Sequence, residues 1–380
     1  MRILLLADLH IGSIKDTNYY YNTMKNIIDK ELIFTHSDAV ILLGDYFDRL
    51  FKVNEEYVSL AINVMSYLIR TCKRSKIKIR IVYGTESHEM NQYKLFNYHF
   101  TSSHVDVKLF TTCTEEELFP GCNVLYVPEE YIDNKHDFYK NTLYSGKKYD
   151  YIFGHGVIIE GMPMADKIRI ASEKSEKQVP RFKAGELGSI CKISAWGHYH
   201  VHTDLDNVHY VGSLFRKSFG EEEAKGYAVI EDGEWKFIEN EAAYTYKTYE
   251  FNTDSDIYSS TESMMAEIEK IKKDNQDMFN GEKTGKIRLI FHTTENTNPS
   301  FYDNLKNITD NDKLIVPLIK EEDHTMLEEA KEEIDDEYSF VLDNSMNIAD
   351  KIHTFITIKD PTTDLSVQAI DQYVNKELEF

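Results

Sequence analysis

Five short clusters in the first 200 residues have the makings of a reaction centre. Asp8 and His10 occur as Asp-x-His, and Asp45 and Asp48 as Gly-Asp-x-x-Asp. His88 lies in "YGTESHEMN", His155 follows a glycine, and His198 and His200 form Gly-His-x-His. Residues i and i+2 at the end of a strand share a face, so each x-separated pair turns both side chains the same way. Carboxylates and imidazoles in this number suit a dinuclear site for borderline-hard metal ions, with one aspartate shared between them. Each fragment alone is common. The five in this order, each behind an apolar run, are a specific pattern.

The runs that must position them are legible. "RILLLA" (Arg2–Ala7), "AVILLG" (Ala39–Gly44) and "KIRIVYG" (Lys78–Gly84) read as buried strands. Between them, residues 17–34 and 55–72 have helical apolar spacing, so the start of the chain is expected to fold as βαβ units. In open α/β folds ligands gather beyond the C-terminal ends of strands, which is where the polar clusters fall. Further strands are expected at Cys122–Pro128, Tyr149–Gly156, Lys192–His200 and Asn207–Ser213, followed by a hairpin around Asp232-Gly233. Residues 243–258 read as a polar linker. Beyond it, a helix over 260–275, strands at Lys286–His292 and Lys313–Ile319, and a helix near 300–307 form a second small unit.

A chain of 380 residues with 42% hydrophobic residues accommodates two globular domains. No stretch approaches the ~18 uninterrupted apolar residues of a membrane span, and the apolar start reads as a strand rather than a leader. Four cysteines without paired spacing suit a reducing compartment, so a cytoplasmic protein is expected. The net charge of −22 is unevenly spread: residues 1–240 carry 29 basic against 34 acidic side chains, and the rest 14 against 31. The acidity centres on Glu321–Tyr338, a solvated face or a surface for a basic partner. Two basic stretches, Lys73–Arg80 and Asp166–Lys183, could follow a phosphate backbone. In the second these are Lys167, Arg169, Lys174, Lys177, Arg181 and Lys183. Nothing in them reads bases.

In motif order the series resembles the calcineurin-like metallophosphoesterases. More narrowly it resembles the SbcD nucleases, the nuclease subunits of a double-strand-break repair complex. "ADLHIGS", "GDYFDR", "YVGSLFRKSFGEEEAKGY" (Tyr210–Tyr227) and the small unit after the first domain carry the narrower likeness. It is specific over residues 1–240 and only architectural afterwards, and the short length suits a phage-type or compact bacterial member. The resemblance implies an α/β fold, a four-layer α/β/β/α sandwich over 1–242 with a smaller capping α/β domain at 259–320. An acidic and helical segment at 321–380 would then be the place where an ATPase partner binds.

Matching motif to motif, the resemblance implies that Asp8, His10 and His200 hold one ion, that Asp45 bridges, and that His155 and His198 hold the second. His88 would contact the phosphate or protonate the leaving oxygen. Asp48 and Glu89 would support these groups from behind. The family's asparagine ligand, immediately before the catalytic histidine, is absent here. Ser87 stands in its place and two additional residues separate Gly84 from His88, so Ser87, Glu86 or a water is expected to substitute. Ligands without thiolate favour Mn²⁺, as the resemblance also implies, with Mg²⁺ as the alternative ion.

The activity so implied is 3′-to-5′ exonuclease and endonuclease cleavage of DNA. The implied partners are an SbcC-like, SMC-type ATPase and a second copy of the chain. The tail "TDLSVQAIDQYVNKELEF" has the apolar spacing of a groove-binding helix. A phosphatase or cyclic-nucleotide phosphodiesterase could use the same constellation, and a non-catalytic scaffold could retain the fold. The second unit and the 210–227 stretch weigh against both.

Overall fold

The computed structural model describes residues 1–161, 180–252, 261–280, 284–293, 315–321 and 366. The chain forms two compact units. Among the described residues the first takes in 1–161, 180–217 and 223–243, and the second 218–222 and those from 244 onward. The architecture is mixed α/β, with parallel and antiparallel pairing in both large sheets.

The first six-stranded sheet contains β1 (Arg2–Leu6), β2 (Ala39–Leu43), β3 (Lys78–Val82), β4 (Val107–Phe110), β13 (Gly226–Glu231) and β14 (Glu234–Glu239), ordered β14-β13-β1-β2-β3-β4. Its β1–β4 are parallel, as βαβ connections require, β13 pairs antiparallel with β1, and β14 forms the edge beyond it. The second sheet contains β5 (Thr114–Phe119), β6 (Cys122–Val127), β7 (Tyr149–His155), β10 (Cys191–Gly197), β11 (Thr203–Leu205) and β12 (Val208–Tyr210), ordered β11-β12-β10-β7-β6-β5. A short parallel pair, β8 (Val157–Ile158) with β9 (Arg181–Phe182), lies apart from both. The Asp-Gly hairpin is present, with Asp232 and Gly233 both at positive φ between β13 and β14.

Alternation along the strands sorts their side chains into three cores. Leu4, Leu6, Val40, Leu42, Ile79 and Ile81 pack under the helices α1 (Thr17–Ile28) and α2 (Glu56–Ser75). The opposite face, with Ile3, Leu5, Ile41 and Leu43, packs on Val124, Tyr126, Tyr151, Phe153 and Ala195 of the second sheet. The outer face of that sheet buries Leu125, Val127, Ile152 and Trp196 with Tyr139, Phe182 and Leu187. Strands buried on both faces explain why the sequence shows continuous apolar runs rather than alternation. Asp16 caps α1 by accepting from Tyr19 N, and α1 widens into a π-type turn over Asp29–Phe34.

In the second unit, β15 (Thr245–Asn252), β16 (Gly285–Thr293) and β17 (Ile315–Glu321) form a parallel sheet. Phe251, Leu289, Phe291 and Ile315 pack there against Ile268 and Ile271 of the helix Thr261–Asp274. This corrects the linker reading of 243–258: residues 245–252 are a strand in register with β16, so the unit begins before 259. The helix near 300–307, the acid run and the tail helix lie outside the described residues. Among the described residues no helix is long and apolar enough to cross a membrane.

One basic stretch also needs correcting. Arg80 is 1% exposed and belongs to the structure, not to a DNA-facing surface. Its guanidinium bonds both oxygens of Glu116 at 2.7 and 2.8 Å, and Asp106 at 2.9 Å. Burial alone would raise the Glu116 carboxyl, but Arg80 and Lys108 hold it below its usual value. A depressed folded-state value means that the stabilisation is present above the unfolded value and lost as pH falls through the folded one. Glu116→Gln is therefore expected to cost about 1–3 kcal/mol at pH 7. The gap from wild type, measured by urea unfolding, should close as the pH is lowered from about 5 to 3.

Candidate metal centre

Parallel pairing brings the clusters together. β1 and β2 are neighbours in one sheet, and β6, β7 and β10 are consecutive in the other, with Val127 opposite Gly154 and Gly197 opposite His155. Asp8, Asp45, Glu129, His155 and His198 therefore leave their strands at nearly the same level. Gly84 and Gly197 are needed there for space. A Cβ on Gly84 would lie 2.3 Å from Asp45 N, and one on Gly197 would lie 2.2 Å from the Leu43 carbonyl oxygen. Asp8, His10, Asp45 and His198 all have positive φ, at 48°, 41°, 49° and 108°. Non-glycine residues held so cost of order 1–3 kcal/mol each, and they concentrate where side chains must be aimed for function.

Two groups of donors share a wall. Asp8, His10 and His200 have ligand atoms within 4.8 Å of one another, as do Glu129, His155 and His198. Asp45 belongs to both neighbourhoods. Its Oδ2 lies 3.6 Å from His10 Nε2 and 4.0 Å from His88 Nε2, and its Oδ1 lies 3.5 Å from His155 Nε2. Asp8, His10, Asp45 and His155 are each no more than 3% exposed.

The surrounding backbone fixes each group's direction. His198 N donates to both oxygens of Asp8, at 2.9 and 3.2 Å, and Thr85 N donates to Asp45 Oδ1 at 2.7 Å. His155 Nδ1 bonds the Leu43 carbonyl at 2.8 Å, which leaves Nε2 facing the acids. His88 Nδ1 is likewise bonded to the Asp48 carbonyl, leaving its Nε2 toward Asp45. The Asp48 carboxylate lies 3.5 Å from His10 Nδ1 and 3.4 Å from Lys217 Nζ. Glu89 is wholly buried and accepts from Tyr46 N and the Tyr93 hydroxyl, so it anchors the turn after Asp45 rather than touching His88. Burial, with the Asp45 charge nearby, pushes Glu89 up to about 8.

Proton affinities differ between the two donor groups. Burial pushes Asp8 up to about 6, with His155 opposing and Asp45 adding to the rise. Burial, reinforced by Lys217, holds His10 well below its ordinary value, and burial with Lys217 and Lys225 holds His200 down to about 3. These two rings are thus neutral at pH 7, with Nε2 atoms 3.0 Å apart, the form in which imidazole binds metal. His155 goes the other way. Burial opposes its charge, but Asp45, Asp8 and Glu129 outweigh it and raise the ring to about 10. Burial would also raise Asp45, but His155, by its charge and a hydrogen bond, outweighs it and holds that carboxylate low. The second donor group thus takes up positive charge, whereas the first keeps its imidazoles neutral.

The residues fit divalent ions. Donor separations of 3.0–3.9 Å occur throughout, close to the ~3 Å that bonds of about 2.0–2.2 Å to one ion impose at right angles. Of the residues marked in the sequence, Asp8, His10, Asp45, His155, His198 and His200 come together, with His88 beside them. Ser87 and Glu86 do not. Both are exposed, and Glu86 accepts instead from the Tyr83 hydroxyl. The hydroxyl of Thr85, directly after Gly84, faces the cluster: its Oγ1 is 3.4 Å from Asp45 Oδ2 and from His155 Nε2. Glu129 was not anticipated, although the signal was available, since it too is an acid directly behind an apolar strand. Among the basic candidates, Lys167, Arg169, Lys174 and Lys177 lie outside the described residues. Lys183 is half-buried, and Arg181 is 8% exposed within β9, which corrects its reading as a surface contact.

No described protein family matches the chain, and no curated protein matches it. Among solved structures, a dimetal phosphatase from Danio rerio is similar at 10% identity, covering 60% of this chain and 91% of that one, with a TM-score of 0.30. A glutamine-dependent NAD⁺ synthetase from Acinetobacter baumannii in complex with ADP is similar at 8% identity, covering 94% and 70%, also at 0.30. At such scores neither likeness bears on fold or function, and the donor geometry stands on its own.

An ion that binds only the folded chain stabilises it by about 2.7 kcal/mol at a hundredfold excess over its dissociation constant. Mn²⁺ is therefore expected to raise the melting temperature by several degrees and EDTA to reverse this. In Asp45→Asn most of the rise should disappear; a rise of wild-type size in that variant would remove Asp45 from the site.

Proposed function

We propose that the chain is a two-ion phosphodiesterase acting on DNA. The observation that carries this is the placement of Asp45 between two donor groups, Asp8-His10-His200 and Glu129-His155-His198, with His88 Nε2 at the rim. Bound divalent ions would supply a deprotonated water at neutral pH and neutralise the phosphate oxygens, and Mn²⁺ suits the oxygen and nitrogen donors.

The chain supplies the rest. Asp45, facing both donor groups, would hold ions in each, and the backbone donors on Asp8 and Asp45 hold the carboxylates so that nothing has to reorganise as charge develops. His88, its Nδ1 committed to the Asp48 carbonyl, presents Nε2 to the substrate side. From there an imidazolium donates a proton to the leaving 3′-oxygen, and the neutral ring is then reprotonated by solvent. The half-exposed setting of His88 suits that exchange, in contrast to the closed setting of His155.

DNA as the substrate rests on the sequence resemblance over residues 1–240, above all the Tyr210–Tyr227 stretch. The same resemblance supports 3′-to-5′ exonuclease and endonuclease action within an SbcCD-like end-processing complex, with an SMC-type ATPase and a second copy as partners.

The test is degradation of an end-labelled duplex with Mn²⁺, Mg²⁺ or EDTA, comparing wild type with His88→Ala. Mn²⁺-dependent release of label, falling by about 10²–10⁴ in the variant, is the expected result. Cleavage of a small chromogenic phosphate ester but not of DNA would reassign the site to a phosphatase. No turnover on either substrate would make it a scaffold.

A further inference from the structure

The second donor group contains a carboxylate whose surroundings are those of a metal ligand. Glu129 leaves β6 two residues after Val127, and its backbone N–H donates to the Tyr83 carbonyl at 3.2 Å, tying it to the end of β3. Its carboxylate is sequestered, the residue being 6% exposed. The two oxygens have different environments. Oε1 accepts from the Tyr131 hydroxyl at 3.1 Å, whereas Oε2 faces His198 Nδ1 at 3.2 Å, the Thr85 hydroxyl at 3.3 Å and His155 Nε2 at 3.9 Å. The Tyr131 bond thus rotates the carboxylate so that Oε2 points into the space bounded by both imidazoles and Asp45.

What lies between these atoms decides the role. His155 Nδ1 spends its hydrogen on the Leu43 carbonyl, so in the neutral ring Nε2 has only a lone pair to offer. That lone pair, Asp45 Oδ1 at 3.5 Å and Glu129 Oε2 at 3.9 Å then converge on one space, into which the Thr85 hydroxyl brings a single hydrogen. Three acceptors turned inward in a buried pocket need more positive charge than one hydroxyl hydrogen brings, and a metal ion or a proton on His155 is what can sit among them. A carboxylate that merely oriented His198 would need only the 3.2 Å contact with Nδ1 and would have no reason to face His155 as well.

We propose, building on the dinuclear reading above, that Glu129 is a direct ligand of the second ion, completing with Asp45, His155 and His198 the set that Ser87 and Glu86 leave open. A third carboxylate in the pair of sites, in addition to Asp8 and Asp45, adds a formal negative charge at the second ion. That ion is therefore held more tightly than a neutral oxygen donor would hold it, and the second site fills at low metal concentration.

The test counts ions rather than products. Purified full-length protein, stripped with EDTA and dialysed, is titrated with Mn²⁺, with free Mn²⁺ read from its solution EPR signal, for wild type, Glu129→Gln, Glu129→Ala, Glu86→Ala and Asp45→Asn. Wild type is expected to bind two ions. Glu129→Gln keeps the shape and a hydrogen-bond acceptor for His198 but loses the charge, and it should weaken one of the two ions at least tenfold. Glu129→Ala should weaken the same ion about a hundredfold or more, and Glu86→Ala should match wild type. Melting curves in EDTA that agree between wild type and Glu129→Gln establish that the variant is folded. Two wild-type affinities in Glu129→Gln overturn the proposal, because an orienting role survives that substitution, and leave the dinuclear reading intact. Fewer than two ions in wild type, or wild-type binding in Asp45→Asn, removes the dinuclear reading and this inference with it.

Discussion

Much of the first unit depends on one unfavourable fact, the burial of Asp45 among groups that compete for positive charge. A carboxylate that is 3% exposed has little water to solvate it, so its charge is sustained by the Thr85 N–H and above all by the His155 ring, with the His10 and His88 rings beside it. Those partners come from β1, from the loop after β3 and from β7 of the other sheet. Their convergence is possible only if the strands end level with one another and the backbone can approach closely at Gly84 and Gly197. The positive φ of Asp8, His10, Asp45 and His198 is the local cost of aiming four side chains into one space from strands that would otherwise turn them away.

The sheets supply the rigidity this requires. The core between them is built from alternate residues of β1, β2, β6, β7 and β10, the strands whose ends carry ligand candidates. A slip of one residue in any of them would exchange inward and outward faces and carry its site residue away from the cluster. The packing and the chemistry thus constrain the same registers. Lys217 and Lys225 complete the balance from the segment before and at the start of β13. They help burial keep His10 and His200 neutral, and Lys225 also holds the His200 carbonyl at 3.0 Å.

Site residues were readable from the sequence where a polar cluster followed an uninterrupted apolar strand, because burial on both faces and function at the C-terminal end leave that joint signature. Asp8, Asp45, His155 and His198 all carry it. Glu129 carries it too, behind "CNVLYVP", but no histidine or aspartate two residues away marks it, as His10 marks Asp8 and His200 marks His198. β4 and β5 escaped notice because they lie toward sheet edges and expose alternate residues. β15 was read as linker because Thr245, Lys247 and Glu250 mask the Tyr249–Phe251 alternation that packs into the small core. Arg80 and Arg181 illustrate a different limit. Charge along the chain does not say which arginines are turned inward, and Arg80 is satisfied by Glu116 and Asp106, of which Glu116 is 36 residues away.

The loop from Gly84 to Glu89 shows how a site keeps a place to act when the residues expected as ligands turn away. A metal site specifies where donor atoms lie in space and how much charge they carry, not which strand supplies them. Glu86 and Ser87 turn outward, yet the short helix Glu86–Glu89 delivers His88 Nε2 to within 4.0 Å of Asp45. Thr85 keeps a hydroxyl on the cluster, and its N–H secures Asp45. Glu129 reaches the same cluster from the end of β6, the strand next to β7, with Oε2 3.9 Å from His155 Nε2. A donor placed there uses a register that the core between the sheets has fixed for other reasons.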